Sequence, residues 1–154
     1  GYCTKGSRIE FVGSDELPPV LADTSRVKTA IVEIVRNACE AAGMNPEGGL
    51  VTIQVAEEAV PGTGQPRLSS AVQKLNWVTI TVTDNGPGIS PEIDEKIFQP
   101  FFTAFNRAGA AGLGLTVAAS MVQQLGGFIR HESQPGRTTF QIVLPARNEI
   151  ARGE

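Results

Sequence analysis

Trp77-Val-Thr-Ile-Thr-Val-Thr-Asp84-Asn-Gly-Pro-Gly88-Ile89 is the stretch on which the reading of this chain turns. Residues 77–82 alternate and are rich in β-branched side chains, which predicts a strand. Asp84 then falls at the strand's end, with Gly86 and Gly88 in the turn beyond it. A buried carboxylate in that position can accept a hydrogen bond from an amino group such as adenine's. Such a bond to a charged acceptor is worth about 1.5 to 3 kcal/mol. Glycines let the backbone approach a ring with no Cβ in the way. The same letters carry a second reading, because Asn-Gly after a strand is also a strong hairpin signal.

Upstream, residues 50–55 (LVTIQV) form a second period-two run that suits a neighbouring strand. Between the two runs, Pro61, Gly62, Gly64, Pro66 and a serine pair predict a mobile insertion over about 58–73. Arg8 to Val12 reads as a short strand, followed by a Leu17-Pro18-Pro19 loop. Asp23 or Thr24 then caps a helix whose stripe of Val27, Ile31, Ile34 and Ala38 ends near Gly43.

Downstream come a short helical piece around Pro91 to Ile97, a Phe-rich segment, and small residues from Ala104 to Gly112. A helix follows over Leu113 to Leu125, then strands over Phe128 to Glu132 and Thr138 to Leu144, closed by Pro145. Helices falling between strands that mostly pair as hairpins predict an α/β (α+β) two-layer sandwich. Its sheet is mixed and mostly antiparallel, covered on one face by about three helices, in a single domain over 1–154.

With 41% hydrophobic residues the 154-residue chain suits one soluble core. Its net charge of −3 and scattered cations offer no basic stripe, which argues against nucleic acid as a partner. Any phosphate must therefore be held locally. Cys3 and Cys39 lack metal-ligand spacing and read as reduced thiols of a cytoplasmic protein. No apolar run approaches the roughly 18 residues of a membrane helix. The start at Gly1 reads as that of an excised fragment.

Two further clusters bear chemistry. Glu33 and Asn37, four apart, share one face of the first helix, and an Asn amide oxygen is a hard neutral donor suited to Mg²⁺. The pair is read equally well as a solvated helix shoulder. Gly109-Ala-Ala-Gly112-Leu113-Gly114-Leu115 precedes a helix, where free backbone N–H groups and the positive end of the helix dipole can cradle a phosphate. It can also be a plain flexible connector. Its spacing is neither the dinucleotide fingerprint nor a Walker loop. The rings of Phe98-Gln-Pro-Phe-Phe102-Thr103 read as core, with a lid-like stretch after them.

The order of these segments is more telling than any one of them. An Asn-bearing helix, D-N-G-P-G-I, F-Q-P-F-F-T, G-L-G-L, then G-G and a closing T-T-F-x-I-x-L-P together resemble the ATPase domain of sensor histidine kinases, from about Arg8 to Pro145. The N-A-C-E-A-A-G wording looks most like kinases of the nitrogen-regulation type. The resemblance implies the Bergerat-type ATP-binding fold, with ATP between the first helix and a lid over about 102–112. Asn37 would bind Mg²⁺, Asp84 the adenine amine, and Gly86, Gly88 and Ile89 the turn beneath the base. Phe102 and Thr103, where the lid begins, would contact ATP. Gly112, Leu113, Gly114 and Leu115 would meet the phosphates, and Thr138 would support adenine through water. Phe98, Phe101 and Phe102 look like the family's phenylalanine box.

Implied partners are the parent protein's own dimerisation and phosphoacceptor domain and a response-regulator receiver domain. The fragment itself would be monomeric within a homodimeric, cytoplasmic or membrane-anchored parent. Three departures stand out: Ala110 at the first lid glycine, Phe105 where a cation is usual with Arg107 the nearest, and Pro135-Gly-Arg-Thr at the last glycine box.

Within the kinase resemblance Glu33 is expected to act beside Asn37 in catalysis by polarising a water or a Mg²⁺ ligand, and it also opens a rival reading, since gyrase- and MutL-type ATPases place there a Glu that activates water. A non-catalytic nucleotide-binding docking module is a second rival. His131-Glu132 mimics the family's acceptor dipeptide, but it lies in a predicted strand and reads as a structural histidine.

Overall fold

The computed structural model describes residues 7–13, 23–58, 77–100 and 114–146. The expected insertion beyond Glu58, the expected lid, the Leu17-Pro18-Pro19 loop and Cys3 lie outside them, as do Phe101, Phe102, Thr103, Gly112 and Leu113.

Strand β1 (Ser7–Val12) is followed by helix α1 (Thr24–Ala42), then β2 (Gly49–Glu58) and β3 (Trp77–Asp84). A single 3₁₀ turn at Asp94–Lys96 precedes helix α2 (Gly114–Gln124), β4 (Phe128–Gln134) and β5 (Arg137–Pro145). Local chemistry explains the bounds. Asp23 caps α1 by accepting the Ser25 N–H at 2.9 Å. At the other end the Gly43 N–H bonds back to the Cys39 carbonyl at 2.9 Å. Among the described residues the helical piece expected over 91–97 is that one 3₁₀ turn, so α1 and α2 do most of the covering.

The five strands form one sheet in the order β1-β2-β3-β5-β4. β1 runs parallel to β2, and the other three pairings are antiparallel. The two runs expected to be neighbours do pair, Val51 opposite Asp84 and Ile53 opposite Val82. The core lies between sheet and helices. Ala30, Ile34, Ala38 and Ala42 of α1 and Ala118 and Val122 of α2 pack with Val51, Ile80, Val82, Phe140, Ile142 and Leu144. Each large apolar side chain buried there contributes roughly 1.5 to 3 kcal/mol.

Cys39, buried in α1, is disulfide-bonded, and no described cysteine is free. That corrects the expectation of a reduced thiol at this position. No described helix is long and apolar enough to cross a membrane.

Candidate nucleotide site

Strand alternation sets the first element of the site. Val82 and Phe140 face the helices, so Asp84 and Thr138, two residues along their strands, share that face. They stand opposite one another in the ladder. Asp84 is 2% exposed and Thr138 3%, so a carboxylate and a hydroxyl sit at the edge of an apolar core. Burial pushes the Asp84 carboxyl up from 3.8 to about 6, against a smaller lowering by the Gly86 N–H, which donates to Oδ1 at 2.9 Å.

The Asn-Gly that follows is not a hairpin turn. Asn85 instead ties this turn at three points to the stretch over 45–50 that leads into β2. Its Oδ1 accepts the Leu50 N–H at 2.8 Å, its Nδ2 donates to the Gly48 carbonyl at 3.0 Å, and its own carbonyl accepts Asn45 Nδ2 at 2.9 Å. Gly86 and Gly88 are needed for protein contacts. A Cβ on Gly86 would lie 2.6 Å from the Ala41 carbonyl oxygen of α1. On Gly88, with φ at +87°, it would lie 2.5 Å from the Gln134 carbonyl oxygen. Ile89 packs on the core, and its N–H donates to Ser133 Oγ at 2.7 Å, which in turn bonds Thr138 Oγ1 at 2.8 Å. Asn85 and Ser133 were not singled out from sequence. Only an Asn directly after a strand-end Asp, and a Ser near the closing hairpin, hinted at them.

Helix α1 supplies the connection to the second element. Glu33, Asn37 and Ala41 follow one another at intervals of four on one face, spanning about 12 Å of helix axis. Ala41 touches the Gly86 turn. At the other end Glu33 Oε2 lies 2.7 Å from where a Cβ on Gly114 would stand, at the first residue of α2. Asn37, half-buried, sits midway between the two. Leu115 packs on the core, and the Thr116 hydroxyl donates to the Phe98 carbonyl at 2.9 Å, tying the start of α2 to the phenylalanine segment. Sequence reasoning missed that bond.

The described residues hold no cluster of three or more His, Cys, Asp or Glu side chains able to bind a metal. A cation here would take one neutral amide oxygen from Asn37 and its remaining ligands from phosphates and water, a donor set that fits Mg²⁺.

His131 lies in β4, its Nε2 3.0 Å from Asp94 Oδ1 and its ring stacked on Phe140. This is the structural setting expected of it. A groove of about 640 Å³ opens beside it, bordered by Ile89, Pro91, Asp94, Glu95 and Glu132. Arg137 and His131 line the same groove, so its border carries both signs of charge.

The sequence profile described as histidine kinase-, DNA gyrase B-, and HSP90-like ATPase matches residues 22–148. The chain is 35% identical over 141 residues to the sensor kinase CckA of Brucella abortus, covering 90% of this chain and 14% of that protein. It is 35% identical over 129 residues to the sensory histidine kinase/phosphatase NtrB of Vibrio alginolyticus, covering 84% and 34% respectively. It therefore spans about a third or less of these relatives. A structure of full-length ShkA in complex with AMPPNP superposes with a TM-score of 0.69 at 25% identity, covering 93% of this chain and 26% of that one.

Proposed function

The chain belongs to the histidine kinase-, DNA gyrase B- and HSP90-like ATPase family as the ATP-binding catalytic domain of a sensor histidine kinase, and from that premise we propose that it donates the γ-phosphoryl group of Mg²⁺-bound ATP to a histidine on a separate helical-hairpin domain. One observation carries the proposal: a single face of α1 runs from the Asp84–Gly86 turn to the start of α2, with Asn37 between them.

In this reading Asp84 accepts from the adenine amino group and Thr138 supports the base. Gly86, Gly88 and Ile89 form the turn beneath it. Asn37 offers its amide oxygen to the metal, and the N–H groups at the start of α2, with Gly112, Leu113, Gly114 and Leu115, face the phosphates. Phe102 and Thr103 would add contacts to ATP. Bound Mg²⁺ would supply charge neutralisation across the phosphate oxygens. The acceptor imidazole nitrogen attacks the γ-phosphorus while the bond to the bridging oxygen breaks, and ADP leaves with that electron pair. A neutral imidazole, with an ordinary pKa near 6.5, needs no strong base, so positioning is the domain's main task. The acceptor domain, a receiver-domain partner and a homodimeric parent complete the scheme, with the domain facing the ATP-containing side of any membrane.

Calorimetric titration with a non-hydrolysable ATP analogue and Mg²⁺ tests the site. Asp84→Ala is expected to weaken binding on the order of 10- to 100-fold. Equal binding by both proteins would remove the adenine assignment.

The position of Glu33 beside Gly114 favours a second reading, an ATP-hydrolysing machine with Glu33 as base. Rapid ATP turnover by this domain alone, abolished in Glu33→Gln, would establish it over phosphotransfer.

A further inference from the structure

Within the nucleotide reading just given, on which this inference rests, Glu33 poses an electrostatic problem. Its carboxylate lies against the first residue of α2, where the triphosphate is to be received, and like charges there repel. The structure also contains a counter-charge. Arg36, one turn along α1, directs Nη1 at both carboxylate oxygens, 3.2 Å from Oε1 and 3.4 Å from Oε2. The Glu33 side chain is only 20% exposed, so its charge is less screened by water than that of a surface pair.

We propose that Arg36 is a positioning residue for the phosphates: by pairing with Glu33 it compensates that carboxylate and holds it against α1, so that the triphosphate approaches α2 without opposition from a bare anion. Arg36 acts through Glu33 and need not touch the nucleotide. This separates it from an arginine that binds phosphate directly, because its loss is then repairable by removing the Glu33 charge.

The experiment measures dissociation constants of the 154-residue protein for adenosine, ADP and a non-hydrolysable ATP analogue, each with Mg²⁺, while thermal melting follows folding. Arg36→Gln is expected to leave adenosine within about twofold and to weaken the ATP analogue roughly five- to tenfold, with ADP between them. Arg36→Lys should recover most of the loss. The decisive protein is Arg36→Gln combined with Glu33→Gln, expected to bind the ATP analogue within about twofold of the unmodified chain. A double variant that binds as weakly as Arg36→Gln overturns the proposal in favour of direct phosphate contact. Equal weakening of adenosine and ATP analogue overturns it in favour of a purely structural role. Failure of the unmodified chain to bind any of the three would instead sink the nucleotide reading itself.

Discussion

The two ends of the candidate site are built by opposite means. At the end proposed for adenine a buried to partly buried hydrogen-bonded network holds the turn: Gly86 N–H to Asp84, Ile89 N–H to Ser133, Ser133 to Thr138, and Asn85 at three points to the stretch over 45–50. At the phosphate end a partly exposed ion pair leans on a glycine at a helix start, with one hydroxyl tying that helix to Phe98. A flat base recognised through one carboxylate rewards rigidity. A charged, flexible triphosphate rewards side chains that can swing. The difference teaches that stability and binding are coupled tightly at one end and loosely at the other.

The largest expected effect tests the coupling at Asp84. Raising a buried carboxyl from 3.8 to about 6 corresponds to about 3 kcal/mol that folding loses when the group is ionised. The stability is fully present below pH 3.8 and disappears as pH rises through about 6. Asp84→Asn keeps an oxygen for the Gly86 N–H, so it should be about 3 kcal/mol more stable than the unmodified protein at pH 8 by urea denaturation, with the gap closing toward pH 4. A variant no more stable at pH 8 than at pH 4, relative to the unmodified chain, would show that the carboxyl is not strained by burial. Nucleotide affinity should run the other way, rising with pH through about 6 as the acceptor ionises.

Next comes Gly86→Val, which would drive a side chain into the α1 backbone at Ala41. A loss of about 2 kcal/mol is expected from overpacking, read as a lower urea midpoint. Ser133→Ala should follow, at about 1 kcal/mol for the two hydrogen bonds it removes at Ile89 and Thr138. Its signature would be faster amide exchange at Ile89. The smallest effect belongs to the other end. Gly114→Ala meets only the far end of the Glu33 side chain, which can move, so stability should shift by under about 1 kcal/mol. A shift there as large as that of Gly86→Val would erase the contrast between the two ends.

Much of this was legible in the sequence. The alternation over 77–82 placed a strand and set Asp84 at its end, and the stripe from Val27 to Ala38 placed α1 with its cap and its stop. Glu33 and Asn37 were legible as one helix face because a spacing of four is a local property. Asn85, by contrast, fitted a hairpin turn on local grounds. Its partners Gly48 and Leu50 lie 37 and 35 residues away, and nothing local announces them. The glycines were expected to let backbone approach a ligand ring; that Gly86 and Gly88 also make room for the backbone at Ala41 and Gln134 was not legible, because those partners lie 45 and 46 residues away.

Sequence by itself determined the elements and their order, because period and capping are written over a few consecutive residues, and it supplied the residues proposed here to meet adenine, metal and phosphate. Only the tertiary structure decided that Cys39 is bonded, that β1 runs parallel to β2, that Ser133 bridges Ile89 to Thr138, and that Glu33 lies against Gly114 in the grip of Arg36. Most of those contacts join residues far apart in the chain, and even the short-range Glu33–Arg36 pair acquires its meaning from the distant helix it faces. Such proximity is fixed when sheet and helices close on a common core, and no window of sequence contains it.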